Sequence, residues 1–213
     1  DLVQDFRLAW LLPTLVRRNL MEFIHYVRIE LLIDLTRQLQ FARLSGDFNP
    51  LHVDSTSSRR SQFGDAVVHG IHLLMLVFER LDISDHVCIT ELKVDFRSAV
   101  RIGEPFYFVS SQENKTRLIT VFAGSRLCAA IRVQFENSES SFSIPLANYP
   151  SQTPLSTTNV EDLQQFHGVE NGGFDSVMYQ QLFPNLFFYM SHRDIDFLLT
   201  ITRIIGMRCP GEF

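Results

Sequence analysis

The longest apolar stretch of the chain lies between Val67 and Leu81. Val68, Ile71, Leu73, Leu74, Met75, Leu76, Val77 and Phe78 leave it almost no polar face. A helix apolar on every side must be buried on every side, so the rest of the fold is expected to wrap it. The pattern that follows supplies the wrapping. Leu92, Val94 and Phe96 alternate with Lys93, Asp95 and Arg97, the period of a half-buried strand. Phe106–Ser111 and Arg117–Ala123 read as a second and a third strand. Leu127, Ala129, Ile131, Val133 and Phe135 alternate with Arg132, Gln134 and Glu136 in a fourth, the clearest of the set. Turns at Arg101–Pro105, Glu113–Lys115 and Gly124-Ser125 separate them, and such short turns predict antiparallel pairing of successive strands. Residues 22–29 alternate well enough to add a fifth strand. The expected class is α+β, a twisted antiparallel sheet curled around a central buried helix.

Upstream, the period changes at Glu30. Leu32, Leu35, Leu39 and Ala42 fall three or four apart with Asp34, Arg37 and Gln38 between them, which predicts an amphipathic helix. Gly46 is placed to end it. Residues 1–20 mix apolar and basic positions without a clean period, with a helix as the favoured reading. Downstream, residues 137–173 are rich in Ser, Thr, Pro, Asn, Gln and Gly and read as a linker or long loop. Phe174–Tyr189 is aromatic and apolar, broken at Pro184. Ser191 and Asp194 have the spacing of a capping box, opening a helix through Ile195, Leu198, Leu199, Thr202 and Ile205 that Gly206 would close. Four segments are expected: an N-terminal extension (1–21), the domain (22–140), a linker or loop (141–173) and a helical C-terminal extension (174–213).

Composition narrows the class. Of the 213 residues, 46% are hydrophobic, which is a folded protein's content, not a disordered one's. The net charge of −5 argues against nucleic-acid binding. Three cysteines without a CxxC spacing argue against a disulfide framework or a zinc site and for a reducing, cytoplasmic setting. No run is long enough to span a membrane. Leu8–Leu12 is short and is stopped by Pro13 and Arg17-Arg18, unlike a signal peptide. The chain starts at Asp1 and ends at Phe213 directly after an apolar helical pattern. It is expected to be part of a longer, multifunctional polypeptide.

Candidate chemistry concentrates just before the apolar helix. Asp47 and His52 flank Asn49-Pro50, where proline fixes φ and holds Asn49 extended, so the spacing of carboxylate and imidazole is stiffened. His52 suits proton transfer near neutral pH. The helix start at His69-Gly70 offers unpaired N–H groups, and glycine there admits a carbonyl close to the backbone. Each residue also has a plain reading. Asp47 could be a turn residue, His52 a satisfied half-buried histidine, and Asn49 either a water-orienting group or a turn former. His69 reads more readily as a helix cap than as a catalytic group, and His72 as a buried polar residue. Asp47, His52, His69 and His72 match no standard zinc spacing. Arg59-Arg60 reads as a solvated face, its rival role being contact with phosphates. The aromatic cluster Phe183–Tyr189 reads as core, its rival role being a partner surface.

The strings Phe41-Ala42, Leu44–Asp47, Asn49–His52, Asp54, Phe63-Gly64 and Val68–Gly70 resemble, in content and spacing, the MaoC-type dehydratases, the (R)-specific enoyl-CoA hydratases of hot-dog fold. The resemblance covers roughly residues 22–136. It implies a hot-dog fold, with a C-terminal extension that could begin a second such unit, and a homodimer or pseudo-dimer. It implies reversible hydration of a trans-2-enoyl thioester, carried on CoA or acyl carrier protein, with no cofactor and no metal. Asp47 and His52 would be the catalytic dyad, Asn49 would assist, and the Gly70 N–H would take the thioester oxygen. Pro50, Phe63, His69, Phe78, Arg59 and Arg60 would form the substrate surface. Phe78 stands where some members carry a small polar residue that helps hold the dyad, and its phenyl group is expected to narrow the acyl pocket. Two other functions fit the same fold: a thioesterase, and a non-catalytic acyl-binding or dimerising module of a larger synthase.

Overall fold

The computed structural model describes residues 29–83, 87–137 and 173–208. Five strands, β1 (Ile29–Leu31), β2 (Val87–Phe96), β3 (Phe106–Glu113), β4 (Thr116–Ala123) and β5 (Arg126–Asn137), form one antiparallel sheet in the order β1-β3-β4-β5-β2. The expectation that successive strands all pair fails at one place. β2 pairs with β5 and not with β3, because residues 97–105 carry the chain across the sheet instead of folding it back as a hairpin. The alternation seen in the sequence sets the sheet's faces. Phe108, Val121 and Ala129 lie side by side in register, all buried, as do Ile119 and Ile131 in the next row.

Against this buried face lies α4 (Gly70–Glu79). His72 through Glu79 are all buried, and Leu74 through Phe78 have no exposed surface at all. The wrapped helix is therefore present, two or three residues shorter at each end than the apolar run. Before it come α1 (Leu35–Ser45) and two single turns, α2 (Pro50–Val53) and α3 (Ser55–Ser58). Asp34 caps α1 by accepting the Arg37 N–H at 2.7 Å. Gly46 ends it in the left-handed conformation at φ 76°, its N–H on the Ala42 carbonyl. The start of α1 differs from expectation. Glu30 belongs to β1, and Leu32 and Leu35 are about half exposed. The face that α1 buries is Gln38, Phe41, Ala42, Leu44 and Ser45.

Residues 173–208 fold back onto this core as α5 (Ser176–Leu182), α6 (Pro184–Tyr189) and α7 (His192–Arg208). Phe183, Leu186 and Tyr189 are buried with the residues of α4 and the sheet, whereas Phe188 is 61% exposed. Half of the anticipated capping box forms. Ser191 Oγ accepts the Asp194 N–H, but the Asp194 carboxylate accepts the Ile89 N–H of β2 instead. Ser191 N–H also reaches the Val87 carbonyl, so the start of the β2 edge is covered by the extension. Gly206 does not close α7, which continues to Arg208. The described part of the extension carries no strand of its own. No described helix is long and apolar enough to cross a membrane. Of the strand expected over 22–29, Ile29 opens β1, while residues 22–28, the linker up to residue 172, residues 1–20 and Cys209 lie outside the described residues.

Candidate active site

The loop after α1 and the N-terminal end of α4 meet below the sheet. Asn49 caps α2, its Oδ1 accepting the Leu51 N–H, and Pro50 occupies the first helical position, where its missing N–H costs nothing. One turn on, this places the His52 ring against the His69 ring, centroids 4.0 Å apart. His69 immediately precedes α4 but makes no side-chain cap. The cap reading is therefore replaced: its Nε2 points at Asp47, 3.1 Å from the carbonyl and 3.5 Å from Oδ2.

Hydrogen bonds assign the tautomers. Gln38 is fully buried, with its amide nitrogen near the Val67 and His52 carbonyls and its Oε1 2.8 Å from His72 Nδ1. That orientation makes the amide a donor to His69 Nδ1 at 2.6 Å, so the His69 hydrogen is on Nε2, facing Asp47. His52 Nδ1 is 2.9 Å from the Val67 carbonyl and must donate to it, which leaves the Nε2 lone pair of His52 for proton transfer. Burial, then the neighbouring His69, push the His52 imidazole down to about 4, so it is neutral at neutral pH. Asp47 is 2% exposed. Burial alone would push its carboxyl up. The hydrogen bond and charge of His69, with the Asn49 N–H and the His52 charge, outweigh this and hold it below the ordinary value.

The other expected site residues are distributed unevenly. Both ends of the Asn49 amide are engaged, Oδ1 in the cap and Nδ2 on the Gly206 carbonyl at 3.1 Å, the geometry of a turn former and clamp. Beside Gly70, the Phe96 ring of β2 stands 2.8 Å from where a Cβ would be. The space expected for a substrate carbonyl is thus occupied by that ring, which is itself 49% exposed. Phe78 lies about 12 Å along the α4 axis from Gly70. It packs edge-on to Phe135 in the core, away from the dyad. Pro50, Arg59 and Arg60 are exposed and Phe63 is half-buried in the following loop. Sequence reasoning missed Gln38, Thr202 and Gly206. Thr202 Oγ1 donates to Asp47 Oδ2 at 3.1 Å, and Gly206 lies directly on the carboxylate.

Asp47, His52 and His69 also form the one described cluster that could hold a metal ion, with ligand atoms within 4.8 Å of one another. With Gln38 donating to His69 Nδ1, however, the nitrogen that His69 presents to the centre already carries hydrogen. The set suits proton transfer better than metal binding.

Comparison with known proteins bears on the same region. Residues 20–129, more than half of the chain, match the model of the MaoC like domain. A mitochondrial 3-hydroxyacyl-[acyl-carrier-protein] dehydratase of Arabidopsis thaliana is 33% identical over 90 residues, 39% of this chain and 53% of that protein. The chain thus spans about half the length of this curated relative. Among solved structures, an (R)-hydratase from A. caviae involved in PHA biosynthesis is 20% identical, with a TM-score of 0.47, over 55% of this chain and 96% of that one. An R-hydratase from Pseudomonas aeruginosa is 19% identical, with a TM-score of 0.45, over 60% and 88%. A buried helix wrapped by a five-stranded antiparallel sheet, carrying the matched segment, is a hot-dog fold, and the chain belongs to the MaoC-like domain family.

Proposed function

We propose that the protein interconverts a trans-2-enoyl thioester and the (3R)-3-hydroxyacyl thioester, on CoA or acyl carrier protein, as a homodimer or pseudo-dimer. The observation that carries this reading is the His52 ring. Its Nδ1 is tied to a carbonyl, its Nε2 keeps a free lone pair, and the ionised Asp47 lies across the His69 ring from it. In hydration, His52 Nε2 takes a proton from water as the oxygen bonds to C3, while Asp47 orients that water. The electron pair of the C2=C3 bond moves to the thioester oxygen, which the first N–H groups of α4 stabilise once the half-exposed Phe96 ring has swung off Gly70. The imidazolium then returns its proton to C2, so water's hydroxyl ends on C3 and its hydrogen on C2. Dehydration runs the same steps backwards.

The test follows loss of enoyl-thioester absorbance in wild type, Asp47→Asn and His52→Ala. Each variant is expected to lose about 10²–10⁴-fold in kcat. Equal rates in all three would remove the dyad. A thioesterase would instead release free thiol, which a thiol reagent detects in the same cuvette. One observation favours a non-catalytic acyl-binding module, namely the covering of Asp47 by α7. Binding of an acyl thioester with no turnover in wild type would support it.

A further inference from the structure

We propose that α7 is part of the active site and that Thr202 is the positioning residue of Asp47. This rests on Asp47 belonging to the dyad, but its geometry is independent of the reaction assigned. Besides the His69 contact, the Asp47 carboxylate accepts two hydrogen bonds: Oδ1 from the Asn49 N–H at 3.1 Å and Oδ2 from the Thr202 hydroxyl at 3.1 Å. The first comes from its own loop. The second comes from a residue 155 positions away and sets the rotation of the carboxylate relative to His69. Thr202 is 6% exposed, so its hydroxyl needs an acceptor, and Asp47 is the one it has.

The helix is built to bring Thr202 there. Thr202 and Gly206 are four apart and so share one face of α7. A Cβ on Gly206 would stand 2.0–2.2 Å from the Asp47 carboxylate atoms, so only glycine permits this approach. The Gly206 carbonyl, in the last turn and without an intrahelical partner, accepts from Asn49 Nδ2. The Phe48 N–H faces Met207 Sδ at 3.3 Å. Three consecutive loop residues, Asp47, Phe48 and Asn49, are thus each pinned to α7. The titratable groups whose charge acts on Asp47 are His69 and His52, and neither replaces the hydroxyl: the His69 Nε2 hydrogen lies closer to the Asp47 carbonyl (3.1 Å) than to Oδ2 (3.5 Å), and the His52 hydrogen is on Nδ1, facing the Val67 carbonyl.

Thr202→Val removes the donor at nearly constant shape, and Thr202→Ser restores it. Thr202→Ala serves if the valine variant does not fold. The Asp47 carboxyl is followed by 13C NMR across pH, alongside steady-state turnover of an enoyl thioester. Thr202→Val is expected to move the Asp47 titration up by about one pH unit. It is expected to lower kcat roughly tenfold with KM little changed, and Thr202→Ser should return both to wild-type values. An unmoved titration in both donor-less variants overturns the proposal. So does a rise in turnover, which would make α7 a cover and not a support. If wild type and Asp47→Asn turn over equally, the assigned reaction fails, and the titration still decides the role of Thr202.

Discussion

The two ends of α4 each carry a buried carboxylate held by the C-terminal extension, and the two behave oppositely. At the N-terminal end, Asp47 accepts from Asn49 and Thr202 and faces the His69 and His52 rings. At the C-terminal end, Glu79 is 3% exposed and accepts the Asn185 and Leu186 N–H groups, the open first turn of α6. Its neighbour Phe78 offers its carbonyl to the Tyr189 hydroxyl. Burial pushes both carboxyls up. At Glu79 burial prevails over the two N–H bonds and the net direction is up, whereas at Asp47 the imidazoles reverse it. Burial therefore does not mark the carboxylate of the proposed dyad. What marks it is a titratable partner whose other nitrogen is already committed.

The strongest way to break this contrast is to remove the structural carboxylate. Glu79→Ala leaves the buried Leu186 N–H and the part-buried Asn185 N–H of α6 without their acceptor, at about 3 kcal/mol in total. Denaturant midpoints should register that loss, while turnover per folded molecule stays at the wild-type value. A fall in turnover with little loss of stability would mean that Glu79, not Asp47, belongs to the chemistry.

Acid sharpens the contrast, because the two ends respond with opposite sign. The His52 pKa is depressed from 6.5 to about 4. Between those values the unfolded chain binds a proton that the folded chain refuses, so stability falls as pH drops through this window, by about 3 kcal/mol in all. His72, pushed well down by burial, adds in the same direction, and Asp47 adds below its unfolded value near 3.8. Glu79 opposes them. Its pKa is raised, so the folded chain takes up its proton first and gains stability as pH falls towards 4.5. Unfolding of His52→Gln should be flatter between pH 6.5 and 4 than that of wild type, and Glu79→Gln steeper. Identical slopes in wild type and His52→Gln would show that His52 is not buried as the neutral form.

The sequence made one end of α4 far more legible than the other. The apolar run, the strand alternation and the stiff Asp47–His52 spacing are local, and each exists within a dozen residues. Gln38 was hidden because polar residues between leucines read as the solvent side. Yet Gln38, Phe41, Ala42 and Ser45 share the i, i+3, i+4, i+7 spacing, and that is the face α1 buries. Gly206 read as a helix stop, and Thr202 as one position of an apolar stripe. Their role needs a contact across more than 150 residues, which periodicity does not carry. The β2–β5 pairing was lost for the same reason. A crossing of the sheet and a hairpin leave similar turn residues, and only the nine-residue gap before β3 differs.

The finest test of the comparison is Tyr179→Phe. Tyr179 is fully buried, and its hydroxyl has no hydrogen-bond partner. Burial, then the nearby Tyr189 and Glu79, push its ionisation far up, so it is a neutral hydroxyl at every working pH. Its desolvation is uncompensated, and the ring, packed 5.9 Å from both Phe183 and Phe187, supplies all of its stabilisation. Deleting the oxygen should therefore raise stability by about 1 kcal/mol, or Tm by a few degrees. His72 Nε2 is equally unpartnered, yet its ring cannot be exchanged for an apolar one so freely, because Nδ1 holds the Gln38 amide that orients His69. If Tyr179→Phe were destabilising instead, the Glu79 end would contain a polar network of its own, and the division of α4 into a chemical end and a packing end would not hold.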